Sequence, residues 1–130
     1  MHSHDLRSIP TTDPVDIYRL RDGMYAADML LTALVHLDLF SWLDRHGATQ
    51  PEICRAFDLA DRPADVMLTL LSAMGLVEQR SGAFHLTTLA REHLVRDSPW
   101  FLGPYYASLK ERPVSLDLLK VLRSGKPANW

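Results

Sequence analysis

The spacing of apolar and polar residues changes character several times along the chain, and it is clearest between Thr49 and Thr87. Thr49 with Glu52 three residues on has the spacing of a capping box, and Pro51 falls in the first turn, where a missing N–H costs nothing. Ile53, Ala56, Phe57 and Leu59 then give one buried stripe over about two turns. A second helix is predicted from Asp61, with Pro63 just inside it. Val66, Met67, Leu70, Leu71 and Met74 follow at three-and-four spacing, and Gly75 is placed to end it. Leu76 to Arg80 and Ala83 to Thr87 read as short strands around Ser81-Gly82, a two-residue hairpin turn. Helix, turn, helix, hairpin is the winged-helix order.

On the N-terminal side, Met1 to Thr12 is polar and aperiodic and is expected to be a flexible arm, residues 1–13. Asp13-Pro14 marks a helix start, with an N-cap acid before proline. From Met24 to Leu37 almost no polar face remains, and such a helix must be covered on nearly all sides. Two coverings stay open: a partner chain, or this chain's own C-terminal helices. A short helix from Leu39 to Asp44, with Phe40, Trp42 and Leu43 inward, is predicted next, ended by Gly47. After the hairpin, Thr87 or Thr88 caps a helix, Asp97-Ser98-Pro99 breaks it, and an aromatic-rich stretch from Trp100 to Leu109 precedes a helix from Val114 to Leu122.

At 130 residues with 47% apolar content the chain has the size and composition of one folded domain. The formal charge of −2 argues against a polyanion partner. One cysteine, Cys54, forms no internal disulfide and fits the reducing cytoplasm. The polar start lacks the apolar core of a secretory leader, and the longest uncharged apolar run, between Asp28 and Asp38, is too short to cross a bilayer. The expectation is a cytoplasmic protein with no membrane partner.

The chemistry of DNA recognition is missing where the motif would need it. A groove-reading helix carries Arg, Lys, Asn, Gln, Ser or Thr outward. Between Arg62 and Met74 only Arg62 and Asp65 are charged, and they cancel; Thr69 and Ser72 are the other polar groups. Affinity for DNA rests on several basic contacts to phosphate, so no nucleic-acid partner is expected and the motif reads as scaffold. Catalytic signals are absent too. The six glycines are isolated, so no phosphate or adenosyl cradle is predicted. His36, His46, His85 and His93 lack metal-ligand spacing, which leaves metal and catalytic assignments at none.

The run His36, Asp38, Leu39, Phe40, Trp42, Leu43, then Gly47-Ala48-Thr49, Pro51-Glu52-Ile53 and Phe57-Asp58-Leu59, resembles a known family. So do Leu70-Leu71-Ser72-Ala73-Met74-Gly75-Leu76-Val77-Glu78, Phe84-His85-Leu86-Thr87, and the stretch from Asp97-Ser98-Pro99 to Leu122-Arg123-Ser124-Gly125-Lys126-Pro127-Ala128. Together they resemble the N-terminal dimerisation domain of S-adenosylmethionine-dependent small-molecule O-methyltransferases, the plant phenylpropanoid and bacterial polyketide-tailoring kind. The resemblance implies a mostly helical, winged-helix-like unit that intertwines with its twin and closes over the substrate pocket. It also implies a following domain that binds S-adenosylmethionine and carries the catalytic base. The chain ends at Trp130, where that domain is expected to begin, so this chain alone is expected to bind no cofactor and to be inactive.

The expected architecture is therefore mostly α with a small β-hairpin: a dimerisation domain over 14–130, with a winged-helix cassette at about 40–88 and C-terminal helices over 98–124. The expected homodimer interface uses Tyr18, Ala27, Leu30, Leu31, Leu34, Trp100 and Phe101. Weaker candidates to line a pocket for an aromatic small-molecule substrate are Met24, Tyr25, Tyr105 and Tyr106, for which dimer core is the competing assignment. Two other functions stay open: a winged-helix transcription regulator, and a stand-alone small-molecule-binding module.

Overall fold

A computed structural model describes residues 11–15 and 26–126. Tyr18, Met24 and Tyr25 lie outside the described residues, as do most of the expected arm and of the first expected helix. At the start of that helix, the Val15 N–H donates to Asp13 Oδ1 at 3.0 Å, as an Asp cap requires.

Helix α1 is described from Ala26 to Leu37, and its last six residues, Thr32–Leu37, wind as a π-helix. Asp38 then adopts a left-handed conformation, φ 53°, and α2 (Leu39–Arg45) leaves at 67° to α1. A non-glycine residue held there needs support. Arg96 supplies it, donating from Nε and Nη2 to Asp38 Oδ2 at 3.2 and 3.1 Å while its own N–H reaches Ser41 Oγ. Neither Gly nor Pro marks this break, yet it falls at Asp38, between the expected helix ending at Leu37 and the short one after it. α2 covers the expected Leu39 to Asp44 and one residue more, and His46 rather than Gly47 is its C-cap. Gly47 has another role: the His85 ring lies over it where a Cβ would sit.

Helices α3 (Gln50–Phe57) and α4 (Asp61–Ala73) form the helix–turn–helix. The capping box at α3 is complete: Thr49 Oγ1 accepts from the Glu52 N–H, and Glu52 Oε1 accepts from the Thr49 N–H at 3.0 Å. The Thr49 N–H and, second, the Thr49 hydroxyl at 2.9 Å both donate to Glu52 Oε1 and hold the Glu52 carboxyl below its ordinary range. α4 starts at Asp61 as expected, after Ala60 as its N-cap residue, and the Asp61 side chain accepts from Gln50 of α3. Strands β1 (Val77–Arg80) and β2 (Ala83–Leu86) pair antiparallel, Val77 opposite Leu86. Ser81 and Gly82 both have positive φ, 53° and 83°, as a type I′ turn demands. Ala48 adds a single bridge to Phe84, tying the loop before α3 to the hairpin.

α5 (Thr88–His93), α6 (Gly103–Ala107) and α7 (Pro113–Ser124) complete the chain. Thr87 caps α5, and its hydroxyl donates to the Gly75 carbonyl at 2.7 Å. The Ala60 N–H meets the Leu122 carbonyl at 2.6 Å, which closes α7 against the α3–α4 turn. The architecture is mostly α with one small hairpin. Its core is built from Leu34, Phe40, Ile53, Met67, Leu71 and Leu122, all 2% exposed or less. Among the described residues no single helix is long and apolar enough to cross a membrane.

Candidate functional site

The faces left over after the core is made decide what this fold can do. α1 has two sides. Asp28, Thr32 and His36, spaced by fours, make a polar stripe that the apolar reading of this helix passed over. All three are satisfied by the C-terminal segment. Arg112 grips Asp28 with a two-pronged ion pair, Nε to Oδ1 at 2.8 Å and Nη2 to Oδ2 at 3.1 Å. This bond and the Asp28 charge push the Arg112 pKa further up. Thr32 Oγ1 lies 2.8 Å from Ser115 Oγ, and both residues are fully buried. His36 Nε2 lies 2.7 Å from the Lys110 carbonyl oxygen. The chain's own C-terminal helix therefore covers one side of α1.

That covering divides the expected interface residues. Leu31 and Leu34 are 2% exposed, sealed by this chain itself, so in this arrangement they offer a second copy almost no surface. Ala27 is exposed and Leu30 half-buried. Trp100 is 62% exposed. Phe101 is half-buried, its ring against Gly103 where a Cβ would sit.

Two clefts flank Tyr106 of α6. One, of about 430 Å³, runs between α1, α5 and α6 and is lined by Leu30, Leu76, Leu89, His93, Leu102 and Tyr106 among others. The other, of about 520 Å³, lies between α1 and the start of α7, with Ala27, Leu31, Tyr106, Leu109 and Val114 as walls and the Asp28–Arg112 pair at its edge. Tyr106 thus lines both, whereas Tyr105 is 76% exposed and lines neither. Around the clefts stand Leu89, Leu102 and Leu109, 53, 42 and 44% exposed. The Asp28–Arg112 and Thr32–Ser115 pairs escaped the sequence reading, since each joins residues more than eighty positions apart.

The surface of α4 that would face a DNA groove exposes Arg62, Asp65, Val66, Thr69 and Ser72, and in the hairpin Arg80 is paired with Glu78 at 3.6 Å. Among the described residues no group of three His, Cys, Asp or Glu side chains is arranged to hold a metal ion. Burial, with Asp61 nearby, raises the Cys54 thiol pKa, the opposite of what a reactive thiolate needs.

No protein-family model matches the chain. Individual proteins do. Over 92 residues it is 34% identical to the 3-hydroxy-5-methyl-1-naphthoate 3-O-methyltransferase of Streptomyces sahachiroi, a match covering 71% of this chain and 26% of that one. An O-methyltransferase family 2 protein from Planctomyces limnophilus, solved in complex with apigenin, superposes with a TM-score of 0.84 at 34% identity, covering 95% of this chain and 37% of that one. PigF, an S-adenosyl-L-methionine-dependent methyltransferase of a Serratia species, is 32% identical over 81 residues, 62% of this chain and 23% of its own. Its structure with SAH gives a TM-score of 0.65. The chain thus spans about a quarter of the length of the curated relatives it matches. Among the described residues the one sheet is an antiparallel hairpin with no strand–glycine turn–helix unit, and Gly47 and Gly103 are covered by the rings of His85 and Phe101. This chain is a homologue, over most of its length, of one part of the S-adenosylmethionine-dependent O-methyltransferases.

Proposed function

We propose that this chain is the dimerisation and pocket-closing domain of an S-adenosylmethionine-dependent O-methyltransferase acting on a small aromatic molecule. The observation that carries the proposal is apolar surface left outside the core, including Leu89, Trp100, Leu102 and Tyr105, between 42 and 76% exposed, with Leu89 and Leu102 lining one cleft with the half-buried Leu30. Large apolar side chains left exposed on a small protein mark an interaction surface, and a symmetric pair of copies is the commonest way to cover one. The winged-helix cassette serves as scaffold, because the outward side of α4 lacks the basic groups that DNA needs. The methyl donor and the catalytic base belong to a partner domain, and the clefts beside Tyr106 form one wall of the acceptor's pocket. An aromatic acceptor is supported by the apigenin bound to the Planctomyces homologue and by the naphthoate in the name of the Streptomyces relative. A cytoplasmic location fits the lone Cys54.

Light scattering on the double variant Trp100→Ser, Leu102→Glu tests this. Both side chains stand outside the core, so the variant keeps its circular dichroism spectrum while its mass falls from twice the 14.8 kDa of the chain to the chain mass. A variant that stays dimeric places the interface on another face and refutes the assignment.

A further inference from the structure

We infer that the cleft between α1 and the start of α7 binds an aromatic carboxylate, with the rings on Leu31, Tyr106, Leu109 and Val114 and the carboxylate on Arg112. The cleft, at about 520 Å³, is mostly apolar and has one fixed cation at its edge, the composition of a site that takes a flat apolar ligand with a single anchoring group. The cation is set before any ligand arrives. Arg112 donates from Nε and Nη2 to the two oxygens of Asp28, which occupies one edge of the guanidinium. A guanidinium has five N–H donors, so the edge formed by Nη1 and the second Nη2 hydrogen has the spacing of another carboxylate.

The exposures of the two partners differ in the same sense. The Asp28 side chain is 8% exposed and the Arg112 side chain 50%, so the acid is the buried anchor and the base is the accessible group. Arg112 is also the N-cap residue of α7, a helix of 12 residues. Thr32 and Ser115 already hold α1 to α7, so the orientation of Arg112 adds to a junction that does not depend on it alone. A single fork beside apolar walls suits a monoanion on an aromatic frame, rather than a di- or triphosphate.

Isothermal titration of the full chain with 1-naphthoate and with 1-naphthol separates charge from shape. Naphthoate is expected to bind at least about tenfold more tightly, and Arg112→Lys, which keeps the charge but lacks the fork, removes that advantage without changing the affinity for naphthol. Leu109→Glu provides a second variant that leaves the Asp28 pair intact; its carboxylate competes for Arg112 and lowers naphthoate affinity by a similar factor. Equal affinities for the two compounds, no heat with either at millimolar concentration, or naphthoate binding that survives both variants would overturn the inference. The test is separate from the oligomer question. A monomer that binds naphthoate keeps this site and removes the dimer; a dimer that binds neither compound does the reverse.

Discussion

Replacing Thr32 by Val and Ser115 by Ala, singly and together, tests whether α1 is truly held by the chain's own C-terminal helix. Thr32 Oγ1 is 2.9 Å from the Asp28 carbonyl, to which it donates, so the hydroxyl of Ser115 donates to Thr32 across the 2.8 Å contact. Both residues have 0% exposure, and no solvent can replace a lost partner. Thr32→Val is nearly isosteric but strands the Ser115 hydroxyl, at a cost of about 1–3 kcal/mol. Ser115→Ala removes the donor and leaves Thr32 bonded to Asp28, so it costs less, about 1 kcal/mol. In the double variant no polar group is stranded, and the loss falls below the sum of the singles by about 1 kcal/mol, the coupling of the pair. The assay is urea unfolding followed by circular dichroism at one fixed protein concentration, since self-association would make stability depend on concentration. Unchanged m-values allow the midpoints to be converted to free energies. Two small, additive losses would show that α1 does not present this stripe to α7, and the account of how the helix is covered would fall.

Other expectations concern the local devices that build the fold. The Glu52 carboxyl is held below its ordinary value in the folded state, so its contribution is present above the unfolded carboxylate pKa and fades as pH falls through the lower folded one. The melting temperature of Glu52→Gln should therefore lie below wild type at neutral pH and converge with it in acid. Gly47→Ala drives a methyl into the His85 ring and should destabilise by about 1–3 kcal/mol; most of that loss should vanish in a His85→Ala background. Thr87→Ala removes both the cap on α5 and the bond to Gly75, for about 1–2 kcal/mol by thermal unfolding.

Features written by neighbouring residues were legible in the sequence. The Thr49–Glu52 box, the Ser81-Gly82 turn, the Gly75 stop and the Thr87 cap each lie within four positions, and each is present. The helix boundary at Asp38 was legible but its left-handed conformation was not, because the residue is neither Gly nor Asn and is held by Arg96, 58 positions away. Helix α1 is the instructive case. Counting its apolar residues suggested a helix needing cover all round, but Asp28, Thr32 and His36 fall on one stripe, and Arg112, Ser115 and Lys110 answer them. Leu31 and Leu34 are buried as a result, and the apolar surface that remains includes Leu89, Trp100, Leu102 and Tyr105. Of the pocket residues, Tyr106 lines both clefts, a position that neither its periodicity nor its type distinguished from that of Tyr105.

Sedimentation equilibrium of the unmodified chain across the micromolar range tests the central claim most directly. A mass of twice 14.8 kDa, independent of loading concentration, is the predicted result. A single species at 14.8 kDa throughout would mean that the exposed apolar face has no twin, and would contradict the account.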